Sequence, residues 1–197
     1  MNFLKLIVFV FLGSFLIALN SCSSSKSGSL GHYSSVHKRS TKKSNTKERR
    51  SARVAAYSKS NGSKNSEDMI RDEIVLSAMK YTGRDYKPGG KSPDTGFDCS
   101  GFTSYIFSQN GIPLSGPSHK QATLGKQKSK SSLLPGDLVF FGNEDRISHV
   151  AIVASNKKEH LEIVHATTSA GVQIDNITNS EYWTDRYLFG VDIVSKR

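Results

Sequence analysis

Asp98-Cys99-Ser100-Gly101-Phe102 puts a cysteine where a thiol can serve as a nucleophile. The turn-forming run Lys91-Ser92-Pro93-Asp94-Thr95-Gly96 precedes it, and Phe102, Ile106 and Phe107 follow at helical spacing until Asn110-Gly111. Cys99 therefore opens a helix, with Asp98 at the N-cap. Unpaired backbone N–H groups and the helix dipole at that end favour an anion, so the sulfur is expected to be shifted toward thiolate. Such a nucleophile needs a base, and the base needs a third group to hold its ring in the useful tautomer.

Histidine is the candidate base, and the chain has six. His32 and His37 lie in a polar tract where nothing positions them, His119 is in a connecting segment, and His160 follows the charged turn Lys157-Lys158-Glu159. His149 opens the apolar run Val150-Ala151-Ile152-Val153, and His165 closes Leu161-Glu162-Ile163-Val164. A hairpin turning between Ser155 and His160 sets the start of one strand against the end of the next, which makes the two rings neighbours. Taken singly, each reads as a hydrogen-bonded structural histidine and Cys99 as a small buried hydrophobe; it is the set that points to chemistry. No group of candidate ligands has a zinc spacing, so neither metal nor cofactor is expected.

The only other cysteine, Cys22, belongs to a different element. Residues 1–21 read as an export signal, with Lys5 ahead of an apolar run that is shorter than the ~20 residues of a spanning helix. Leu19-Asn20-Ser21-Cys22 resembles a bacterial lipobox, in which the cysteine carries lipid; an ordinary signal peptide or an uncleaved anchor is the alternative. A lipidated Cys22 cannot pair with Cys99, so an exported thiol stays free and needs a reason. Ser23 gives no evident cause for retention at an inner membrane, so the expected location is the outer membrane, facing the periplasm.

The formal net charge of +10 is uneven. Between Ser23 and Lys64 stand eleven Lys and Arg against Glu48 alone, whereas from Asn65 onward fifteen face sixteen acids. The charge thus belongs to a polar tether, 22–65, that cannot form a core. An exported chain meets little nucleic acid, so anionic lipid headgroups or wall polymers are the expected partners of that tract.

The elements that must position Cys99 and the two histidines lie in 66–197, read as one domain. Ser66 followed by Glu67 and Asp68 marks a helix start, and Ile70, Ile74, Ala78 and Tyr81 give it an apolar face over 66–82. A second helix covers 99–110, and Ser118 with Gln121 suggests a short third. Strands follow at 138–141, 150–154, 161–165, 172–174 and 188–194. Helices first and strands after, with short links, predict an α+β fold whose mostly antiparallel sheet is packed by the Cys99 helix.

Gly96-Phe97-Asp98-Cys99-Ser100-Gly101-Phe102, Leu134-Pro135-Gly136-Asp137-Leu138-Val139-Phe140-Phe141, Ser148-His149-Val150 and Val164-His165-Ala166 resemble, in order, the motifs of the NlpC-type cell-wall cysteine peptidases. The resemblance spans roughly Ile70 to Val194. It implies a papain-like fold with Cys99 as nucleophile, His149 as base and His165 orienting His149. Tyr86-Lys87-Pro88-Gly89-Gly90 matches the family's substrate-side tyrosine and glycines, and Asp98 and Ser100 would help shape the pocket if they do more than cap the helix. Ala151 departs from the glycine common there. The run from Val164 to Val172, with Tyr182-Trp183 and Arg186-Tyr187, is similar to Spr-like murein endopeptidase lipoproteins.

The activity implied is hydrolysis of stem or cross-link peptides of peptidoglycan. The Spr-like resemblance leans it to the D-alanyl-diaminopimelate bond, with the γ-D-glutamyl-diaminopimelate bond as the alternative. A wall-binding module without turnover and a thioester-dependent acyltransferase remain as readings from other classes. A monomer held to its membrane by the lipid on Cys22 is the default assembly.

Overall fold

The structure, a computed structural model, describes residues 65–158 and 160–195 together with positions 48, 51–53 and 55. The export signal 1–21, Cys22 and nearly all of the tether 22–65 lie outside the described residues. Among the described residues no helix is long and apolar enough to cross a membrane.

The first helix, α1 (Ser66–Lys80), is capped by Asn65, whose side-chain oxygen accepts the Asp68 N–H at 2.9 Å; the cap is therefore one residue ahead of the expected Ser66. Its buried side holds Ile74, Val75, Ala78 and Met79. A two-strand hairpin, β1 (Lys91–Ser92) and β2 (Gly96–Phe97), leads into α2 (Cys99–Gln109), and a one-turn helix α3 (Ser118–Gln121) follows. Then comes the sheet: β3 (Lys126–Lys128), β4 (Leu138–Gly142), β5 (Ile147–Lys157), β6 (His160–Thr167), β7 (Gly171–Asn176) and β8 (Tyr187–Asp192). Its six strands run in the order β3-β8-β4-β5-β6-β7, antiparallel throughout, which is the α+β arrangement that the sequence indicates. A short helix, α4 (Glu181–Arg186), precedes β8.

Strand alternation splits the core into two layers. Val150 and Ile152 of β5 face the helices with Phe140, Val164, Phe102, Ile106 and Phe107. Ala151 and Val153 face away, into a second cluster with Val139, Phe141 and Ile163 that Trp183 and Tyr187 help to close. The sheet is thus covered on both faces rather than by the Cys99 helix alone. Each fully buried phenylalanine, such as Phe97, Phe102 or Phe140, contributes about 1.5–3 kcal/mol.

One buried cation crosses these layers. Arg71, on the core side of α1, reaches Asp137 at 2.7 Å and Asp192 at 2.8 Å, and Lys128 adds a contact to Asp137 at 2.9 Å. The motif acid Asp137 therefore locks the entry of β4 to α1 and to the end of β8. Burial pushes the Asp192 carboxyl up, but bonds from Ser195 and the Arg71 guanidinium outweigh it and leave its pKa below the usual range.

Candidate active site

Asp98 starts α2 as the sequence requires. Its carboxylate accepts the Gly101 N–H at 2.6 Å, the Ser100 hydroxyl at 3.1 Å and the Gly89 N–H at 3.0 Å, so one side chain caps the helix and pins the 87–90 turn to it. Gly101 permits that approach, since a Cβ there would run into the Gly90 carbonyl oxygen. The same packing holds Tyr86, bridged to Phe97, beside the start of the helix.

The strands supply the gap into which the helix tip fits. β5 is paired with β6 only from Ile152, opposite Val164, to Lys157, opposite His160; short of Ile152 the two strands part. At that splay the backbone N–H of Val150 bonds the Cys99 sulfur, joined by the N–H groups of Ser100 and Cys99 itself. The half-buried thiol is nevertheless pushed up in pKa, because burial outweighs those three donors. The expected shift toward thiolate is therefore overturned: the donors are present, but desolvation of the charge wins.

His149 and His165 share a face of the sheet. Ala151 falls opposite His165 one step beyond the Ile152 and Val164 pair, and His149 lies two residues further along that face, diagonal to His165. The Nε2 of His149 meets the Nδ1 of His165 at 2.9 Å, so Nδ1 is the His149 nitrogen that this bond leaves uncommitted. The far nitrogen of the fully buried His165, Nε2, meets an oxygen of Asp175 at 2.9 Å. Burial, helped by repulsion from His165, lowers the pKa of His149 to about 3, so its ring is neutral around pH 7. Asp175 stays ionised, its pKa lowered first by the bond from His165.

Residues 83–191, which hold Cys99, His149, His165 and Asp175, match the NlpC/P60 family. The chain belongs to that family. It is 42% identical over 117 residues to a probable endopeptidase p60 of Listeria seeligeri, across 59% of this chain and 21% of that protein. It is 37% identical over 119 residues to the murein DD-endopeptidase/murein LD-carboxypeptidase MepS of Escherichia coli, across 60% of each. The chain thus spans about a fifth of the p60 relative's length. Among solved structures, the NlpC/p60 domain of the peptidoglycan hydrolase SagA superposes with a TM-score of 0.53 at 33% identity, over 62% of this chain and 97% of that one. The family and the cysteine-peptidase class read from the motif series are borne out.

In this NlpC/P60 domain Cys99, His149 and Tyr86 line one cavity of about 510 Å³, together with Asp175, Trp183 and Tyr182. Burial raises the Tyr86 phenol, with the neighbouring Cys99 and Asp98 adding to the effect. Asp98 and Ser100 are not among the lining residues: Asp98 is spent on capping, and the Ser100 hydroxyl donates to it. Ala151, in the family's glycine position, is buried without exposure in the second core cluster. Asp175 is not among the residues that the sequence motifs single out, and Trp183 enters them only as part of the Tyr182-Trp183 pair. Trp183 stacks within 5.1 Å of the His149 ring and 4.9 Å of the His165 ring, and its side chain helps to lower the Asp175 pKa. Strand alternation carries a signal for Asp175: in Val172-Gln173-Ile174-Asp175 the polar positions fall on the face of His165, which stands opposite Gln173.

Proposed function

We propose that the domain hydrolyses an amide bond in the stem or cross-link peptides of peptidoglycan, with Cys99 as nucleophile. The observation that carries this reading is a single cavity that presents the Cys99 sulfur and a neutral His149 ring whose only uncommitted nitrogen is Nδ1. In the first step Nδ1 of His149 takes the thiol proton as the sulfur bonds the carbonyl carbon. The N–H groups of Cys99, Ser100 and Val150, which favour negative charge on the resting sulfur, are the donors that would answer the oxyanion. His149, now an imidazolium, gives its proton to the leaving amine as the C–N bond breaks, and a thioester remains. Water attacks that thioester with His149 as base, which restores the thiol and releases the carboxylate. His165 holds the base in place throughout, and Tyr86 stands on the wall where the substrate chain would lie.

We further assign the bond as the D-alanyl-diaminopimelate cross-link. Support comes from the motif resemblance and from a relative whose name is murein DD-endopeptidase. The enzyme would work from a lipid on Cys22 at the outer membrane, with 22–65 as its tether, and incorporation of labelled palmitate that Cys22→Ala abolishes is the check on that anchor.

Mass spectrometry of muropeptides tests the reaction. The purified protein should convert cross-linked dimers to monomers, and Cys99→Ala should release nothing. Cleavage that leaves every dimer intact moves the assignment to the γ-D-glutamyl-diaminopimelate bond. Binding to peptidoglycan with no product in any preparation makes the domain a wall-binding module, and undiminished activity in Cys99→Ala ends the proposal.

A further inference from the structure

Asp175 is a polar residue on an otherwise ordinary strand, yet the two groups that hydrogen-bond its carboxylate oxygen are both placed to donate. His165 Nε2 lies at 2.9 Å and Gln173 Nε2 at 3.0 Å, and the neighbouring Trp183 side chain further favours the ionised form. Ionised, a carboxylate only accepts hydrogen bonds. The proton shared with His165 therefore sits on the His165 Nε2. In a singly protonated ring Nδ1 is then bare, and it can only accept. Its partner is His149 Nε2, 2.9 Å away, so that nitrogen must carry the His149 proton. Nδ1 of His149 is left as a lone pair. Because His149 is neutral, it has two tautomers to choose between, and only this one can take a proton from the sulfur.

We propose that Asp175 is a positioning residue that sets the tautomer of His149 from two hydrogen bonds away, through His165. This rests on the reading of His149 as the base, and it deepens that reading by adding a fourth member to the Cys99, His149 and His165 series. Reversing the relay shows why it matters. With no acceptor at position 175, His165 is free to place its proton on Nδ1 and donate to His149 Nε2, which moves the His149 proton to Nδ1. The ring then presents an N–H to the thiol and has nothing with which to accept.

The side chain is partly open, with 29% of its surface exposed, so water can meet Gln173 and Trp183 when the carboxylate is removed. Asp175→Ala is therefore expected to fold. The direct readout is the ring-nitrogen NMR of histidine labelled with nitrogen-15 in the purified full chain. His149 and His165 are assigned by loss of signal in His149→Gln and His165→Gln. In the wild type both rings should be single Nε2–H tautomers. In Asp175→Ala both should carry a substantial Nδ1–H population, and Asp175→Glu should restore most of the Nε2–H form. Kinetically kcat should fall roughly 10- to 100-fold in Asp175→Ala with KM little changed. That is less than the ~10⁴-fold seen when an aspartate touching the base itself is neutralised in a serine triad, because here one ring intervenes.

Unchanged tautomers in Asp175→Ala overturn the proposal, whether or not kcat falls. So does a tautomer change that leaves kcat within about twofold. The NMR readout requires no substrate, so a wild-type protein that releases no muropeptides would sink the proposed function while the tautomers still decide the part played by Asp175.

Discussion

His149 gives a stability prediction with a sign and a size. The native ring, walled in by Phe141, Trp183 and His165, takes a proton only near pH 3, because burial and then repulsion from His165 oppose the charge; an ordinary histidine does so at 6.5. In the unfolded chain the ring is free to protonate below about pH 6.5. Between those values the unfolded state holds one more proton than the native state, so stability rises with pH across the window and acid removes it. Each pH unit inside the window is worth about 1.4 kcal/mol, so acidification from about pH 6.5 to about pH 5 costs roughly 2 kcal/mol through this ring alone. His149→Gln abolishes the titration and still offers an amide N–H to His165. Urea unfolding of both proteins between about pH 7 and pH 5 should show the wild type losing roughly 2 kcal/mol more than the variant, with m unchanged. Carboxylates do not confuse the window. Asp175, Asp192 and Glu67 all have lowered pKa values, so the stability they contribute is present above the ordinary carboxylate range and is lost only below it. Parallel curves for the two proteins would refute the reasoning, since the native ring would then take up its proton as readily as the unfolded one and burial would not be opposing its charge.

Two further outcomes follow from buried charge. Arg71→Met leaves Asp137 and Asp192 buried without their main partner and should destabilise the domain by about 3–5 kcal/mol, seen as a fall in Tm on the order of 10 °C; a loss under about 1 kcal/mol would mean that Lys128 alone suffices. Alkylation of Cys99 by iodoacetamide should accelerate with pH around a midpoint above that of a free cysteine, because burial raises the thiol, and a midpoint below it would restore the thiolate expectation.

The pairing of the histidines was legible because the polar link at 155–160 between two apolar runs is short, which leaves little freedom in how the chain can return. The helix tip was legible from Asp98 and the turn ahead of it. Three things were not. The strand β3, Lys126–Lys128, has no apolar pattern, and it exists because the end of β8 offers it an edge, with Gln127 opposite Val191. Arg71 looks like a solvated charge on α1, and only the entry of β4 and the end of β8, 66 and 121 residues away, make it a buried one. The direction of the thiol shift failed for a reason of magnitude, since local sequence reports donors near the sulfur but not how much water the sheet removes.

That magnitude shapes the site. A helix terminus favours a nearby anion by typically 0.3–1 kcal/mol, whereas taking a charge out of water costs several kcal/mol unless it is paired. At Cys99 the second effect prevails, and at His149 the same burial opposes the cation, so the resting pair is thiol and imidazole rather than thiolate and imidazolium. Charge has to appear only when the proton moves. The groups that answer it then are already in place: the Val150 N–H exposed by the parting of β5 and β6 on the sulfur side, and the ionised Asp175 behind His165 on the imidazole side. Neither depends on the other for its geometry, since the first is a property of the β5 and β6 splay and the second of the β6 and β7 register. Loss of the carboxylate should therefore leave the sulfur's hydrogen bonds intact and slow only the step in which His149 must accept.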